Sequence, residues 1–297
     1  MAPEMAIKTP TRPLLAPAAF RYARLLGLQL RVSLLQGLQY RWDFLIQGGM
    51  QLLWLFLSAV PLFVAYKARA AAHGAALSAT DIGGWGFYPA CVVFGFFSLL
   101  KAILDGAVSP SLTAVVDKIR KGTLDFVLLK PADGQFLVST AHFEPWHVID
   151  ATFAVGLIAV ALAAHYRTAG HPPPASLAGA LAAAAVMFVC AVLILYAIWL
   201  LVVCAAFYVV RIDNLAYLFS SVIDFARWPR SVFRGALAVL FTYVLPLAVM
   251  TSFPADALLG RLRSTEAAWA VASAAALLWL SRRVWRRAIA SYTSASS

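Results

Sequence analysis

The chain has 297 residues, of which 62% are hydrophobic and only 12% are charged, and its mean hydropathy is +0.81. That composition leaves too little polar surface to cover a soluble domain and places the chain in a bilayer. The formal net charge of +11 then reads as membrane orientation and attraction to anionic lipid, not as nucleic-acid binding.

In chain order, Met1–Pro17 is polar and broken by prolines. It has no apolar run ahead of a small-residue cleavage site, so the first span is expected to direct insertion itself. Ala18–Leu38 lacks proline and carries Arg21, Arg24 and Arg31 within an arc of about 80° at 100° per residue, with leucines around much of the rest. The pattern predicts a helix lying in the membrane interface. Crossing the hydrocarbon takes about 20 mostly apolar residues. Six stretches of that order are expected as spans, roughly Phe44–Tyr66, Ile82–Leu104, Pro145–His165, Leu177–Val209, Gly235–Phe253 and Ala267–Leu280. The fourth has no charge between Arg167 and Arg211, yet two crossings and a turn need about 40 residues, so it reads as one long helix. Cys91, Cys190 and Cys204 fall inside these stretches without metal-ligand spacing and read as small packing residues.

Lys and Arg flanking short loops are retained in the cytoplasm. With the N-terminus inside, only Lys67, Arg69, Arg167, Arg261 and Arg263 of the 24 basic residues are left outside. The inside groups run from Lys8 to Arg41, from Lys101 to Lys130, from Arg211 to Arg234 and from Arg282 to Arg287. The expected organisation is a cytoplasmic tail and interfacial helix over 1–43, a transmembrane domain over 44–281 that includes a cytoplasmic region at 109–131, and a basic tail over 282–297.

After the second span, Ser109-Pro110 offers an N-cap followed by proline at the first helical position. Leu112, Val115, Val116 and Ile119 recur at helical spacing, and Gly122 is placed to end the helix. A second short unit, Thr123–Leu129, is closed by Lys130-Pro131, because a residue before proline is pushed out of the helical region. Leu124, Val127 and Leu128 share one face, which suits a turn or two of helix plugging into a partner's groove. A connector lying on lipid fits the same periodicity.

Polar residues at membrane depth are costly unless paired or facing a cavity. Lys101 and Asp105 stand one turn apart as an interfacial ion pair. Asp150, one turn into the third span, is the candidate for a buried functional charge. Glu144, His147 and Asp150 approach one face as acid–base or metal ligands would. Against that, Pro145 starts the helix with Glu144 outside it, the spacing matches no standard motif, and acidic residues cap helix starts. Pro246 breaks the fifth span and offers a gate or a plain kink.

Ile119, Arg120, Gly122, Leu124, Asp125, Leu128, Leu129 and Pro131 fit the pattern Ile-Arg-x-Gly-x-Leu-Asp-x-x-Leu-Leu-x-Pro. In this the chain resembles the permease subunits of ABC-2 type transporters, in particular the six-span branch encoded as two related subunits beside one ATPase. The basic helix before the first span, the aromatic-arginine-proline stretch Phe225–Pro229, Leu245-Pro246 with Phe253-Pro254, and the Tyr-Ser-rich tail Tyr292–Ser297 extend the resemblance over most of the chain. It implies an all-α integral membrane protein: six transmembrane helices, an N-terminal interfacial helix, and a short cytoplasmic coupling helix between spans 2 and 3. It implies further that those eight residues couple to a cytosolic ATPase, in two copies, that carries ATP and Mg. A sister subunit or second copy completes the pathway, with Asp150 and Pro246 as path or gate, in a bacterial inner membrane with both termini cytoplasmic and with export as the direction. This chain has no G-x-x-x-x-G-K-[ST]; Lys8-Thr9 is the only Lys followed by Ser or Thr, and no glycine precedes it. No cofactor of its own is expected. Two readings from other classes stay open: a membrane-embedded lipid-modifying enzyme using His147 and Asp150, and a proton-coupled secondary transporter using Asp105 and Asp150.

Overall fold

The computed structural model describes residues 18–39, 41–168, 176–208 and 213–292. The proline-broken N-terminus, Arg211, and Thr293–Ser297 of the Tyr-Ser tail lie outside them. The described chain is mostly helical, and the strands among the described residues are those of one short hairpin, β1 (Asp81–Ile82) and β2 (Trp85–Gly86), paired antiparallel with Ile82 opposite Trp85.

The expected interfacial helix is α1 (Ala18–Gln39). Its Leu28, Leu34 and Leu35 are about half exposed, as an apolar face laid on lipid would be. α2 (Arg41–His73) carries the first expected span and shows most of its apolar side chains outward. Ile82 sits in the hairpin, so the second span begins later than expected, at α3 (Phe87–Ile103). α3 then runs without a break through a π-turn (Leu104–Val108) into α4 (Ser109–Arg120).

That continuity corrects the N-cap expected at Ser109, whose backbone is helical and whose N–H donates to the Leu104 carbonyl. Pro110 has no N–H for the Gly106 carbonyl one turn back, and Glu144 N–H supplies the missing bond at 2.8 Å. A wide turn and a donor from another segment thus replace the break that proline causes elsewhere.

α5 (Asp125–Leu128) and α6 (Gly134–Ser139) follow, then α7 (His147–Thr168). α8 (Leu177–Cys204) is the single long helix expected of the charge-free stretch; at 1.5 Å per residue its 28 residues span about 42 Å. Among the described residues, four helices are long and apolar enough to cross a membrane: α2, the continuous α3–α4, α7 and α8 with its 3-10 extension. The chain is therefore an all-α, multi-pass membrane protein. The sixth expected span lies within α12 (Ser264–Ala290), which is long enough but falls short of them in hydropathy.

The fifth expected span, Gly235–Phe253, falls on a bent pair of helices. α9 (Asp213–Ile223) and 3-10 turns at Asp224–Arg227 and Arg230–Val232 come first. Then α10 (Ala236–Val239) with its π-turn (Leu240–Val244) and α11 (Leu247–Leu258) meet at 76°. Pro246 lies buried at the bend, and Leu245 before it leaves the helical region at φ −112°, ψ 87°.

Both ends of this bent pair lie at one end of the bundle. Arg230, just before it, binds Glu266 at 2.6 Å and Asp256 at 3.4 Å, and Arg261, just after it, covers the Trp85 ring of the hairpin at 4.4 Å. Arg230, expected inside, thus shares an end with Arg261 and Arg263, expected outside. Charge along the sequence could not reveal this, because the contacts that set it join segments far apart in the chain. The core forms where α8 meets α4, α11 and α12, around Leu112, Ile194, Leu200 and Met250.

Candidate functional site

The segment expected to couple forms a corner. Gly122, at φ +67°, ends α4: Gly122 N–H donates to Ile119 O at 3.2 Å and Thr123 N–H to Lys118 O at 2.9 Å. This pair of bonds, with a left-handed residue between, is the Schellman termination that glycine allows without steric cost. α5 therefore leaves α4 at a set angle.

Leu124, Val127 and Leu128 do share a face, but the face turns inward. Leu124 is completely buried, Val127 is buried and Leu128 is half-buried, so these side chains close the protein's own core. The outward side chains are Phe126, 71% exposed, and Leu129, 81% exposed. Phe126 has no place in the matched pattern. Only the burial of its neighbours singles it out.

A polar clamp that sequence reasoning missed holds the corner from behind. Asp133 caps α6 by accepting from Phe136 N–H at 3.1 Å, and Arg282 of α12 grips the same carboxylate with both terminal nitrogens. Arg282 also donates to Gln135 Oε1 at 2.5 Å, Gln135 donates to Tyr196 Oη of α8 at 2.9 Å, and Asp133 N–H donates to Tyr22 Oη of α1 at 3.1 Å. The Arg282 hydrogen bonds hold the Asp133 carboxyl below the usual carboxylate range. Arg282 reads in sequence as one of four arginines in a basic tail; its partner lies 149 positions away, and no local signal connects them.

A cavity of about 440 Å³ opens between α2, α3, α7 and the turn after α9. Trp54, Leu55, Leu57 and Phe97 form its apolar wall. Its charged wall is Lys101, Asp105, His147, Asp150, Asp224 and Arg227. Lys101 pairs with Asp105 at 3.3 Å, as expected, and Asp224 with Arg227 at 3.4 Å. Glu144, His147 and Asp150 also meet: His147 Nδ1 donates to Asp150 Oδ2 at 2.8 Å, and Nε2 lies 3.5 Å from Glu144 Oε2. Gly106 makes the arrangement possible, since a Cβ there would come within 3.0 Å of His147 Cβ. Among the described residues no cluster is placed to hold a metal ion. A more open groove of about 620 Å³, bordered by Asp117, His142 and Glu144, shares Gln51, Asp105 and His147 with the cavity. Pro246 lines neither and lies buried at its bend.

The arrangement combines an outward apolar knob just past the end of a continuous helix with a charged cavity beside that same helix. Comparison with known proteins places it: the ABC-2 family transporter protein description matches residues 71–296. No curated protein and no solved structure matches the chain. The matched stretch takes in the hairpin, the corner, the cavity's α3 and α7 walls and the bent pair, and the chain belongs to the ABC-2 family of transporter proteins.

Proposed function

We propose that the chain is the permease subunit of an ATP-driven exporter, drawing its energy from a separate cytosolic ATPase in two copies and completing its pathway with a sister subunit or a second copy. ATP and Mg bind to that ATPase. The observation that carries the reading, beyond family membership, is the exposure of Phe126 and Leu129 on a corner fused to the 34-residue helix Phe87–Arg120. Exposed aromatic and aliphatic anchors on a fixed short helix suit a groove in a partner. A push on that corner would travel along α4 and the π-turn to Asp105 and the cavity, and through Arg282 to α12. The coupling set of Ile119, Arg120, Gly122, Leu124, Asp125, Leu128, Leu129 and Pro131 then divides by role. Leu124 and Leu128 seat the corner, Gly122 sets its angle, and Leu129 joins Phe126 at the contact.

In this reading the crossings are α2, α3, α7, α8, residues 213–232 and α12, with the bent pair re-entering from the outer side and Pro246 at its tip. Both termini lie in the cytoplasm of a bacterial inner membrane, and the clamp and α4–α6 face the ATPase. Asp150 and the charged wall line the path.

The test is purification of the tagged chain expressed with its native neighbouring genes. A co-purifying ATPase and six-span sister, lost on Phe126→Glu or Leu129→Glu, supports the proposal. A chain that purifies alone and intact overturns it.

A further inference from the structure

The outward face of α12 ends in a basic groove. Trp279, Arg282, Arg283, Arg286, Arg287 and Ala290 line it, and it holds about 500 Å³. At 100° per residue, Arg283, Arg286 and Arg287 fall within an arc of about 100° that also contains Trp279. The opposite face of the helix fixes that direction, since Trp285 and Ala288 are buried in the core. Asp133 neutralises Arg282. The other three arginines are exposed, and no carboxylate lies within ion-pair distance of them among the described residues. Arg283 lies over the Trp279 ring at 5.2 Å, a contact that places the guanidinium without neutralising it. About one turn of helix therefore carries three uncompensated positive charges.

Toward the N-terminus of α12 the same outward stripe is apolar. Ala272, Ala275, Ala276 and Leu280 are exposed, and Trp279 is 62% exposed. In a membrane protein, a tryptophan between an apolar stretch and a basic one marks the boundary between hydrocarbon and headgroups. An occupant of this face must offer an anion at the arginines and hydrocarbon beyond the tryptophan. Guanidinium groups bind phosphate oxygens through paired N–H donors. An acidic protein surface would answer the arginines and leave the apolar stripe bare, whereas an anionic phospholipid covers both.

We infer that this groove is a binding site for an anionic phospholipid, its phosphate held by Arg283, Arg286 and Arg287 and its chains lying along Trp279 and Leu280. The inference stands on the membrane setting and the geometry of α12, and not on the exporter reading.

The test uses the assembly as purified, in phosphatidylcholine nanodiscs, and reads quenching of Trp279 fluorescence by phosphatidylglycerol with brominated chains. Because the chain has nine tryptophans, the Trp279→Phe protein supplies the background. Half-maximal quenching is expected at a mole fraction about tenfold or more below that needed with brominated phosphatidylcholine. Arg283→Gln, Arg286→Gln and Arg287→Gln together should remove the difference. Arg21→Gln, Arg24→Gln and Arg31→Gln, which take the same charge from α1, should keep it; all six side chains are exposed, so the fold is not at stake. Equal quenching by the two lipids overturns the inference. So does a difference that survives in the α12 variant, or one that disappears equally in the α1 variant and so reports only the general pull of a basic protein on an anionic membrane. An absence of quenching by either lipid shows that protein covers the face and overturns it too. Glycerophosphoglycerol, the headgroup without chains, is expected to leave the difference intact; if it abolishes the difference, the site takes a free phosphate diester and the lipid assignment falls.

Discussion

Leu124, Phe126 and Leu129 are close neighbours on a short helical segment, and their side chains do opposite things. At 100° per residue Leu124, Val127 and Leu128 point one way while Phe126 and Leu129 point the other. Periodicity finds the stripe, but both a partner and the protein's own core can cover it. Because Leu124 is fully buried, Leu124→Ala is expected to lower stability by about 2–5 kcal/mol, read from thermal unfolding in detergent. Phe126→Ala and Leu129→Ala should leave unfolding unchanged and impair ATPase docking; an unfolding shift with either as large as that of Leu124→Ala would contradict the assignment. The clamp gives a prediction in pH. The Asp133 carboxyl is held below its usual value by Arg282, so its contribution is complete above about pH 4 and is lost only as pH falls through the lowered folded value. Protease nicking between α5 and α6 should therefore stay slow at neutral pH and rise under acid, whereas Arg282→Gln should show fast nicking already at pH 7. Equal nicking of both proteins at pH 7 would show that the clamp does not tether the corner.

Between elements, the angle from α4 to α5 depends on one residue. Gly122 stands at φ +67°, a region that costs a β-branched residue most and asparagine least. Gly122→Asn is expected to keep transport coupled to ATP hydrolysis, and Gly122→Val to leave hydrolysis running with little transport. Coupled transport in the valine variant would show that the corner's angle does not matter. The sequence signals at this level were partly right: glycine ending α4 and a break before Pro131 were legible because both act through local backbone sterics. Ser109-Pro110 misled for the same reason. Its cap-and-proline signature is local, whereas the donor that keeps the helix continuous is Glu144 N–H, from a distant segment.

At the scale of the whole molecule, the path of the chain between α8 and α12 differs from the one charge suggests. Arg234 follows directly on Arg230–Val232, which the Glu266 and Asp256 contacts fix at the hairpin end. In a background lacking Cys91, Cys190 and Cys204, Arg234→Cys should react with an impermeant maleimide from the same side as Ala76→Cys and from the side opposite to Lys121→Cys. Labelling together with Lys121→Cys would restore the crossing expected at Gly235–Phe253. What the amino-acid sequence by itself determined was the bilayer, the long apolar helices and the glycine corner after α4, because hydropathy and backbone sterics act locally. Only the tertiary structure decided that the helices within 236–258 meet at 76°, that Leu124 faces inward while Phe126 faces out, that Arg282 holds Asp133, and that Asp150 meets His147. Those outcomes depend on which segments come to lie side by side, and burial and pairing between distant segments leave no local pattern along a chain that is apolar nearly everywhere.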